Sequence, residues 1–119
     1  MLFRSILESS TKYYTETVMV QKFIPEVVHG DRRVYIVNGK VIDYCLYRIP
    51  PNNEIRGNIG AGGRGEAHPV SPNEYNIAHE ISNWMSKNNI LYAGLDIIGN
   101  YLTEINITSP TGEIGRAHV

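Results

Sequence analysis

The chain has 119 residues, enough for one domain with a modest core. Its formal net charge of -1 at pH 7 excludes the strong positive field with which proteins hold nucleic acid or anionic membranes. No apolar run is long enough to span a bilayer, and the single cysteine excludes an intramolecular disulfide framework. We therefore expect a cytoplasmic protein that has neither nucleic acid nor a membrane among its partners.

Both ends of the chain are consistent with one oligonucleotide. If Met1 is a GTG start codon, the string CTC TTC CGA TCT encodes Leu2 to Ser5. The reverse complement of the start codon and this string together, read in a shifted frame after one G, encodes Glu113 to His118. The fifteen-base string is similar to a sequencing-library adapter. We therefore expect residues 6–112 to be an internal part of a longer protein, with adapter-derived residues at 1–5 and 113–119.

The first half of the chain predicts the end of a helix, a short strand and a hairpin. Residues 6–10 are typical of a helix end, and residues 18–23 favour a strand that ends before Pro25. Asn38-Gly39 lies between two strand-like runs, residues 33–37 and 41–48. This dipeptide predicts a type I′ turn, because that turn needs a positive φ at both central residues.

Residues 50–66 lose all periodicity and contain five glycines. Such a segment abandons regular structure and permits close approach of its backbone to a ligand. Its free N–H groups, together with Arg56 and Arg64, could wrap an anion through charge-assisted hydrogen bonds. The segment is either a functional lid or a disordered loop.

A helix is predicted from the N-cap Ser71 to Lys87. Pro72 suits the first helical position, and Glu74 completes a capping box with Ser71. Apolar residues recur at three- and four-residue spacing on one side of this helix, at Ile77, Ala78, Ile81, Trp84 and Met85. We expect Trp84, Met85 and the strand residue Cys45 to lie in the core.

The last two predicted strands, residues 91–98 and 102–107, contain side chains that are unusual inside a sheet. Asp96, Glu104 and Asn106 are poor strand formers and are costly to bury unless paired or ion-bound. A three-residue loop, 99–101, would set Asp96 opposite Glu104 and Gly94 opposite Asn106, with the three polar side chains on one face. Their oxygen atoms suit Mg²⁺. The alternative is a solvated polar face of an antiparallel sheet.

Arg33 and Arg48 lie at the ends of predicted strands and therefore on firm supports. Arginines near a magnesium site are what phosphoryl transfer needs, because the transition state spreads negative charge over the phosphate oxygens. The residues alone thus favour phosphate chemistry.

Seven segments carry a resemblance to a known family: Val20–Pro25, Gly30–Val34, Arg48–Pro50, Glu54–Asn58, Gly62–Glu66, Gly94–Gly99 and Leu102–Thr111. Together they resemble the C-terminal half of the ATP-grasp domain of bacterial glutathione synthetases, over nearly all of residues 6–111. The resemblance implies an α+β fold in which one main helix packs on one face of a mostly antiparallel sheet. The ATP-grasp-like domain would be incomplete at both ends.

The resemblance also implies an activity, the ATP-dependent ligation of γ-glutamylcysteine with glycine through an acyl phosphate to give glutathione. We expect this activity of a full-length, homo-oligomeric enzyme and not of the chain alone. The site residues implied are Gln21, Lys22, Phe23 and Ile24 at the adenine, Asp31 at the ribose, Arg33 and Arg48 at the γ-phosphate and acyl phosphate, Arg56 and Arg64 in the lid, Asp96, Glu104 and Asn106 at Mg²⁺ (or Mn²⁺), and Ser109 and Thr111 near the peptide substrate.

Two other functions stay open. Another ATP-grasp ligase, of the glutamate or D-alanine type, would keep Asp96, Glu104 and Asn106 but would not share the segment from Arg56 to Glu66 so closely. A noncatalytic module that binds an anion or a metal would be complete as written and would fold cooperatively by itself.

Overall fold

The computed structural model describes residues 2–51 and 63–110. These residues form the helix α1 (Leu2–Ser10), a 3₁₀ helix (Pro25–His29), the strands β1 (Asp31–Val37), β2 (Lys40–Val41), β3 (Tyr44–Ile49) and β4 (Arg64–Pro69), the helix α2 (Pro72–Lys87), and the strands β5 (Tyr92–Ile98) and β6 (Tyr101–Asn106). The predicted α+β class is confirmed.

All six strands belong to one sheet in the order β4-β3-β1-β5-β6, with β2 paired to β1 beside this path. Every pairing is antiparallel. Within the described part of the chain, no helix has the length and apolar character to cross a membrane.

The core lies between the sheet and α2. Because side chains alternate along a strand, Val34 and Ile36 of β1 share a face with Leu95 and Ile97 of β5, and all four are fully or almost fully buried. From α2, Ala78 and Met85 complete this cluster, and Cys45 of β3 joins it. The prediction of one main helix packed on one face of the sheet is confirmed.

The prediction that Trp84 lies in the core is wrong, because its side chain is 45% exposed. The buried arc of α2 is centred on Ala78 and includes Ser82, whose hydroxyl donates to the carbonyl of Gly39 at 2.8 Å. At about 100° per residue, Trp84 lies about 120° from Ala78 around the helix axis. The buried serine therefore moves the core-facing side of the helix away from Trp84.

The predicted capping box of α2 is confirmed. The backbone N–H of Glu74 donates to Ser71 Oγ at 3.2 Å, and the backbone N–H of Ser71 donates to Glu74 Oε2 at 2.9 Å. Both donors would otherwise lack partners at a helix start, so the exchange fixes where α2 begins.

The hairpin at Asn38-Gly39 is also confirmed, with φ values of 48° and 78° and Val37 paired to Lys40. The strand after it is not continuous as predicted. Ile36 pairs with Val41, yet Arg33, three residues earlier, pairs with Leu46, five residues later. The extra residues Ile42 and Asp43 belong to neither strand and separate β2 from β3, although the backbone N–H of Ile42 still donates to the carbonyl of Tyr35 at 2.9 Å.

Two further predictions change. Residues 18–23 form no strand and are exposed, because in the part of the chain described here no strand runs beside them to accept their hydrogen bonds. Strand β4 begins at Arg64, inside the segment predicted to be irregular, while residues 52–62 of that segment lie outside the described residues. The helix end predicted near Ser10 is confirmed.

The turn between β5 and β6 differs from the prediction in its loop but not in its register. Asp96 pairs with Glu104 and Gly94 with Asn106, as predicted. The loop has two residues, since Ile98 pairs with Tyr101, and the register shifts between Asp96 and Ile97. Thr103 is the extra residue of the resulting bulge, and its hydroxyl donates to the carbonyl of Asp96 at 3.0 Å.

Candidate functional site

The face of the sheet opposite α2 carries a row of charged and amide side chains, which we call the polar face. Arg33 pairs across the ladder with Asp96, Asp96 with Glu104, and Asp31 with Arg48. Directly opposed residues of neighbouring strands point to the same side. Four adjacent strands thus bring together six of the predicted site residues: Asp31, Arg33, Arg48, Asp96, Glu104 and Asn106.

Asp96 is the centre of this face, and it is only 5% exposed. Its Oδ1 accepts from Arg33 Nε at 2.8 Å and its Oδ2 accepts from Arg33 Nη2 at 2.9 Å. The same Oδ2 lies 2.9 Å from Arg48 Nη2. One buried carboxylate therefore pairs with two guanidiniums.

Arg48 in turn lies between two carboxylates. Its Nε donates to Asp31 Oδ1 at 2.8 Å, and its Nη2 also contacts Asp31 Oδ2. Paired N–H donors of this kind fix a guanidinium in one plane and give a stronger contact than a single hydrogen bond. The result is a continuous chain of ion pairs, Asp31–Arg48–Asp96–Arg33, which we call the ion-pair ladder.

The ion pairs favour the charged forms of Asp96, Arg33 and Arg48. Burial, the largest influence on Asp96, raises the pKa of this carboxyl, but the hydrogen bonds and charges of Arg33 and Arg48 together hold the pKa below its usual value. The hydrogen bond to Asp96 raises the pKa of Arg33. Burial acts to lower the pKa of Arg48, and Asp31 and Asp96 outweigh it, so this pKa is raised.

The end of β6 arranges the chain that follows it. Asn106 Oδ1 accepts from the backbone N–H groups of Thr108 at 3.2 Å and Ser109 at 3.3 Å. Gly94 makes room for this segment, since a Cβ there would lie 2.9 Å from Pro110 Cβ and 3.5 Å from Arg33 Cδ. The exposed Ser109 is thus held near the polar face, whereas Thr111 lies outside the described residues.

Other predicted site residues are not brought to the polar face. Gln21, Lys22 and Phe23 are exposed and Ile24 is half-buried, and none of the hydrogen bonds or ion pairs among residues 2–51 and 63–110 joins them to the ladder. Arg64 of β4 pairs with Ile49 of β3, which is the neighbour of Arg48, so the side chain of Arg64 points to the α2 side of the sheet. Its Nε lies there 3.2 Å from Glu66 Oε1. Arg56 lies outside the described residues.

Residues 2–117 match the family described as prokaryotic glutathione synthetase, ATP-grasp domain. The chain belongs to this family. It is 50% identical over 108 residues to the glutathione synthetase of Neisseria meningitidis serogroup A. The aligned residues cover 91% of this chain and 34% of that protein.

Two further glutathione synthetases give the same result. The Nitrosomonas europaea protein is 48% identical over 107 residues, covering 90% of this chain and 33% of the relative. The Pseudomonas aeruginosa protein is 46% identical over 106 residues, covering 89% and 33%. The predicted family is confirmed, and the chain spans about a third of the length of the curated relatives that it matches.

The oxygen donors of the polar face can be tested for their fit to a divalent cation. Among the described residues, no three His, Cys, Asp or Glu side chains form a group that could hold a metal ion. The predicted set contains two carboxylates and one amide, all hard oxygen ligands of the kind that Mg²⁺ prefers. The ligand types fit a cation, but Asp96 and Asn106 would each have to give up hydrogen bonds first, because both oxygens of Asp96 accept from a guanidinium and Asn106 Oδ1 accepts from two backbone N–H groups.

The α2 side of the sheet holds a second charged contact that the sequence did not predict. Arg32 Nη1 lies 2.6 Å from Glu74 Oε1, and its guanidinium carbon lies 5.0 Å from the centre of the Tyr47 ring. These side chains border a cavity of about 320 Å³, lined also by His29, Asn73 and Asn100. The sequence contained a sign of this contact, because the consecutive residues Arg32 and Arg33 of one strand must point to opposite faces of the sheet.

Proposed function

We propose that the protein containing this chain is a glutathione synthetase that joins γ-glutamylcysteine to glycine with hydrolysis of ATP to ADP and phosphate. The observation that carries this proposal is the 46–50% identity to glutathione synthetases over about nine-tenths of the chain. The two arginines of the polar face support it, because they suit a reaction in which negative charge moves between phosphate oxygens.

The reaction has two steps. The cysteinyl carboxylate of γ-glutamylcysteine attacks the γ-phosphorus of ATP, the bond to the bridging oxygen breaks, and ADP leaves. The glycine amine then attacks the carbonyl carbon of the acyl phosphate, inorganic phosphate leaves with the electron pair of the C–O bond, and the amine proton passes to solvent. We assign the phosphoryl oxygens of both steps to Arg33 and Arg48, whose planar donors match them.

The other roles are assigned in the same proposal. Asp96, Glu104 and Asn106 would hold Mg²⁺ or Mn²⁺, which supplies positive charge to the phosphoryl oxygens when bound. Residues 21–24 would line the adenine and Asp31 the ribose, while Ser109 and Thr111 would approach the peptide. Arg56 and Arg64 would belong to a lid that keeps water from the acyl phosphate. We place the reaction in the cytoplasm, where ATP and reduced thiols are both present.

The test joins this chain to the remainder of a relative. A chimaera in which the chain replaces the matching segment of the Neisseria meningitidis serogroup A enzyme is assayed for ADP release. We expect release that requires both γ-glutamylcysteine and glycine. Release with glutamate or D-alanine in place of glycine would assign another ligase activity, and a folded chimaera that binds ATP without release would favour a noncatalytic module.

A further inference from the structure

Gly94 occupies a position where glycine is unfavourable. It lies inside β5, and its φ is outside the left-handed region, so its backbone conformation suits any residue. A glycine inside a strand lowers stability and contributes no side chain to the packing. The requirement for glycine at this position therefore comes from a neighbouring residue and not from the backbone.

That neighbour is Pro110. A Cβ on Gly94 would lie 2.9 Å from Pro110 Cβ, closer than carbon atoms in contact approach, but an ordinary 3.5 Å from Arg33 Cδ. Pro110 is buried, and its Cβ belongs to a rigid ring that cannot turn aside. The hydroxyl of Tyr92, two residues before Gly94 in β5, donates to the carbonyl of Pro110 at 3.4 Å. We call this contact the Pro110 seat.

The Pro110 seat anchors one end of a short segment. Residues 107–110, which we call the return segment, leave β6 and fold back over β5 on the polar face. At the other end of this segment, Asn106 Oδ1 accepts from the backbone N–H groups of Thr108 at 3.2 Å and Ser109 at 3.3 Å. The exposed Ser109 therefore lies between two anchors, and its position depends on both.

We propose that Gly94 is a positioning residue for the peptide substrate: the space that its missing Cβ leaves seats Pro110, and this seat holds Ser109 where it contacts γ-glutamylcysteine. The inference rests on the proposed function, in which Ser109 approaches the peptide. It goes further, because it gives a role in substrate affinity to a residue that has no side chain and touches no substrate.

A single methyl group is enough to disturb the Pro110 seat. Carbon atoms in contact lie about 3.5–4.0 Å apart, so Gly94→Ala must move Pro110 by at least about 0.5 Å. Ser109 is bonded directly to Pro110 and moves with it. Loss of one hydrogen bond to the substrate changes an affinity by about fivefold.

The experiment uses the chimaera with the Neisseria meningitidis serogroup A enzyme, with and without Gly94→Ala. We expect the KM for γ-glutamylcysteine to rise at least about fivefold. The KM for ATP and kcat should change by less than about twofold, because the added methyl group makes only an ordinary contact with Arg33. The matched control is Gly39→Ala, in a hairpin whose carbonyl accepts from Ser82 of α2, and it should leave all three constants unchanged.

A second substitution shows whether Gly94 acts through Ser109. Ser109→Ala should itself raise the KM for γ-glutamylcysteine, and the further change Gly94→Ala should then raise it no more, since residues that act through one contact are not additive. Independent effects of the two substitutions would overturn the inference. If the chimaera with Gly94→Ala does not fold, Pro110→Gly, which removes the ring from the seat, should give the same rise in KM.

Hydrogen exchange in the whole 119-residue chain tests the Pro110 seat without any activity. Gly94→Ala should speed exchange at the backbone N–H groups of Thr108 and Ser109 more than at the amides of β1, because it loosens the return segment locally. Equal acceleration throughout the sheet would show a general loss of stability and would overturn the positioning role.

The kinetic outcomes separate the inference from the proposed function. An unchanged KM for γ-glutamylcysteine in an active chimaera overturns the inference and leaves the proposed function standing. A fall in kcat together with a rise in both KM values also overturns it, because the substitution would then have distorted the whole polar face. A folded chimaera without ADP release overturns the proposed function and, with it, the assignment of the seat to a peptide substrate.

Discussion

Arg32 and Arg33 are neighbours in β1, yet they bind carboxylates on opposite sides of the sheet, Arg32 that of Glu74 and Arg33 that of Asp96. The first contact ties the sheet to the start of α2, and the second belongs to the polar face. Both carboxylates are buried, so the arginine beside each one lowers the cost of burying a negative charge, which Arg33 shares with Arg48 at Asp96. Each face of β1 therefore carries one ion pair to a buried carboxylate, which joins the sheet to α2 on one side and β1 to β5 on the other.

Removal of Arg33 should be costly. We expect Arg33→Met to lower the free energy of unfolding by about 3 kcal/mol, because it takes two hydrogen bonds from the buried Asp96. Urea denaturation measures the change. The control is Lys12→Met, which breaks the exposed pair Lys12–Glu16 and should change stability by at most about 0.5 kcal/mol. A cost for Arg33→Met no larger than that of the control would contradict the buried pairing.

The ion pairs of Asp96 also predict that the stability of the folded chain depends on pH. Asp96 has a lower pKa in the folded chain than its ordinary value of 3.8, so the unfolded state binds more protons as the pH falls through this range. The stability that Asp96 contributes is therefore present above about pH 4 and lost below it. Urea denaturation of the chain at about pH 6 and about pH 3 should show the loss, and Asp96→Asn should reduce it. The matched control Asp43→Asn, an exposed site between β2 and β3, should not.

Two glycines with positive φ offer a matched pair of substitutions. Gly39 has open space around it, the nearest atom to an added Cβ being Ser86 Oγ at 3.7 Å, so Gly39→Ala should cost about 1 kcal/mol through backbone strain alone. At Gly30 the added Cβ would lie 2.3 Å from the backbone oxygen of Arg48, which cannot move without β3. We expect Gly30→Ala to cost clearly more in urea denaturation, and equal costs would contradict this packing.

Cys45 should be unreactive in the folded chain. Its side chain is only 2% exposed, and burial raises the pKa of its thiol to about 11. Only about one thiol in ten thousand is therefore ionised at pH 7, and the thiolate is the reactive form. Modification by a disulfide reagent should follow global unfolding, with prompt reaction in strong urea as the positive control. Rapid reaction without denaturant would show that the core opens locally at β3.

The elements that could be predicted are those whose chemistry is local. The Asn38-Gly39 turn and the Ser71–Glu74 capping box each depend on residues within four positions of one another, so the sequence contains the whole cause. The prediction of a strand at residues 18–23 is wrong, because a strand depends on a neighbouring strand as well as on its own propensity. Trp84 failed because a buried serine, which no apolar pattern reveals, sets the angle of α2.

The site was predictable in part. Alternation and register placed Asp96, Glu104 and Asn106 on one face, although a bulge at Thr103 and not a longer loop produces that register. The sequence could not say which neighbour Asp96 would bind, since the sheet sets it beside Arg33 on one side and Glu104 on the other. Coulomb attraction makes this choice, and it depends on distances that only the assembled sheet defines.

The order of the strands has a mechanical consequence. The strands that carry the arginines, β1 and β3, are each bonded to neighbours on both sides, whereas β6, with Glu104 and Asn106, is bonded only to β5 among the described strands. A strand with one bonded neighbour shifts at less cost than one with two. The arginines that we propose to bind phosphate thus lie on strands with two bonded neighbours, whereas two of the three proposed ligands of Mg²⁺ or Mn²⁺, Glu104 and Asn106, lie on a strand that can shift relative to Asp96 on β5.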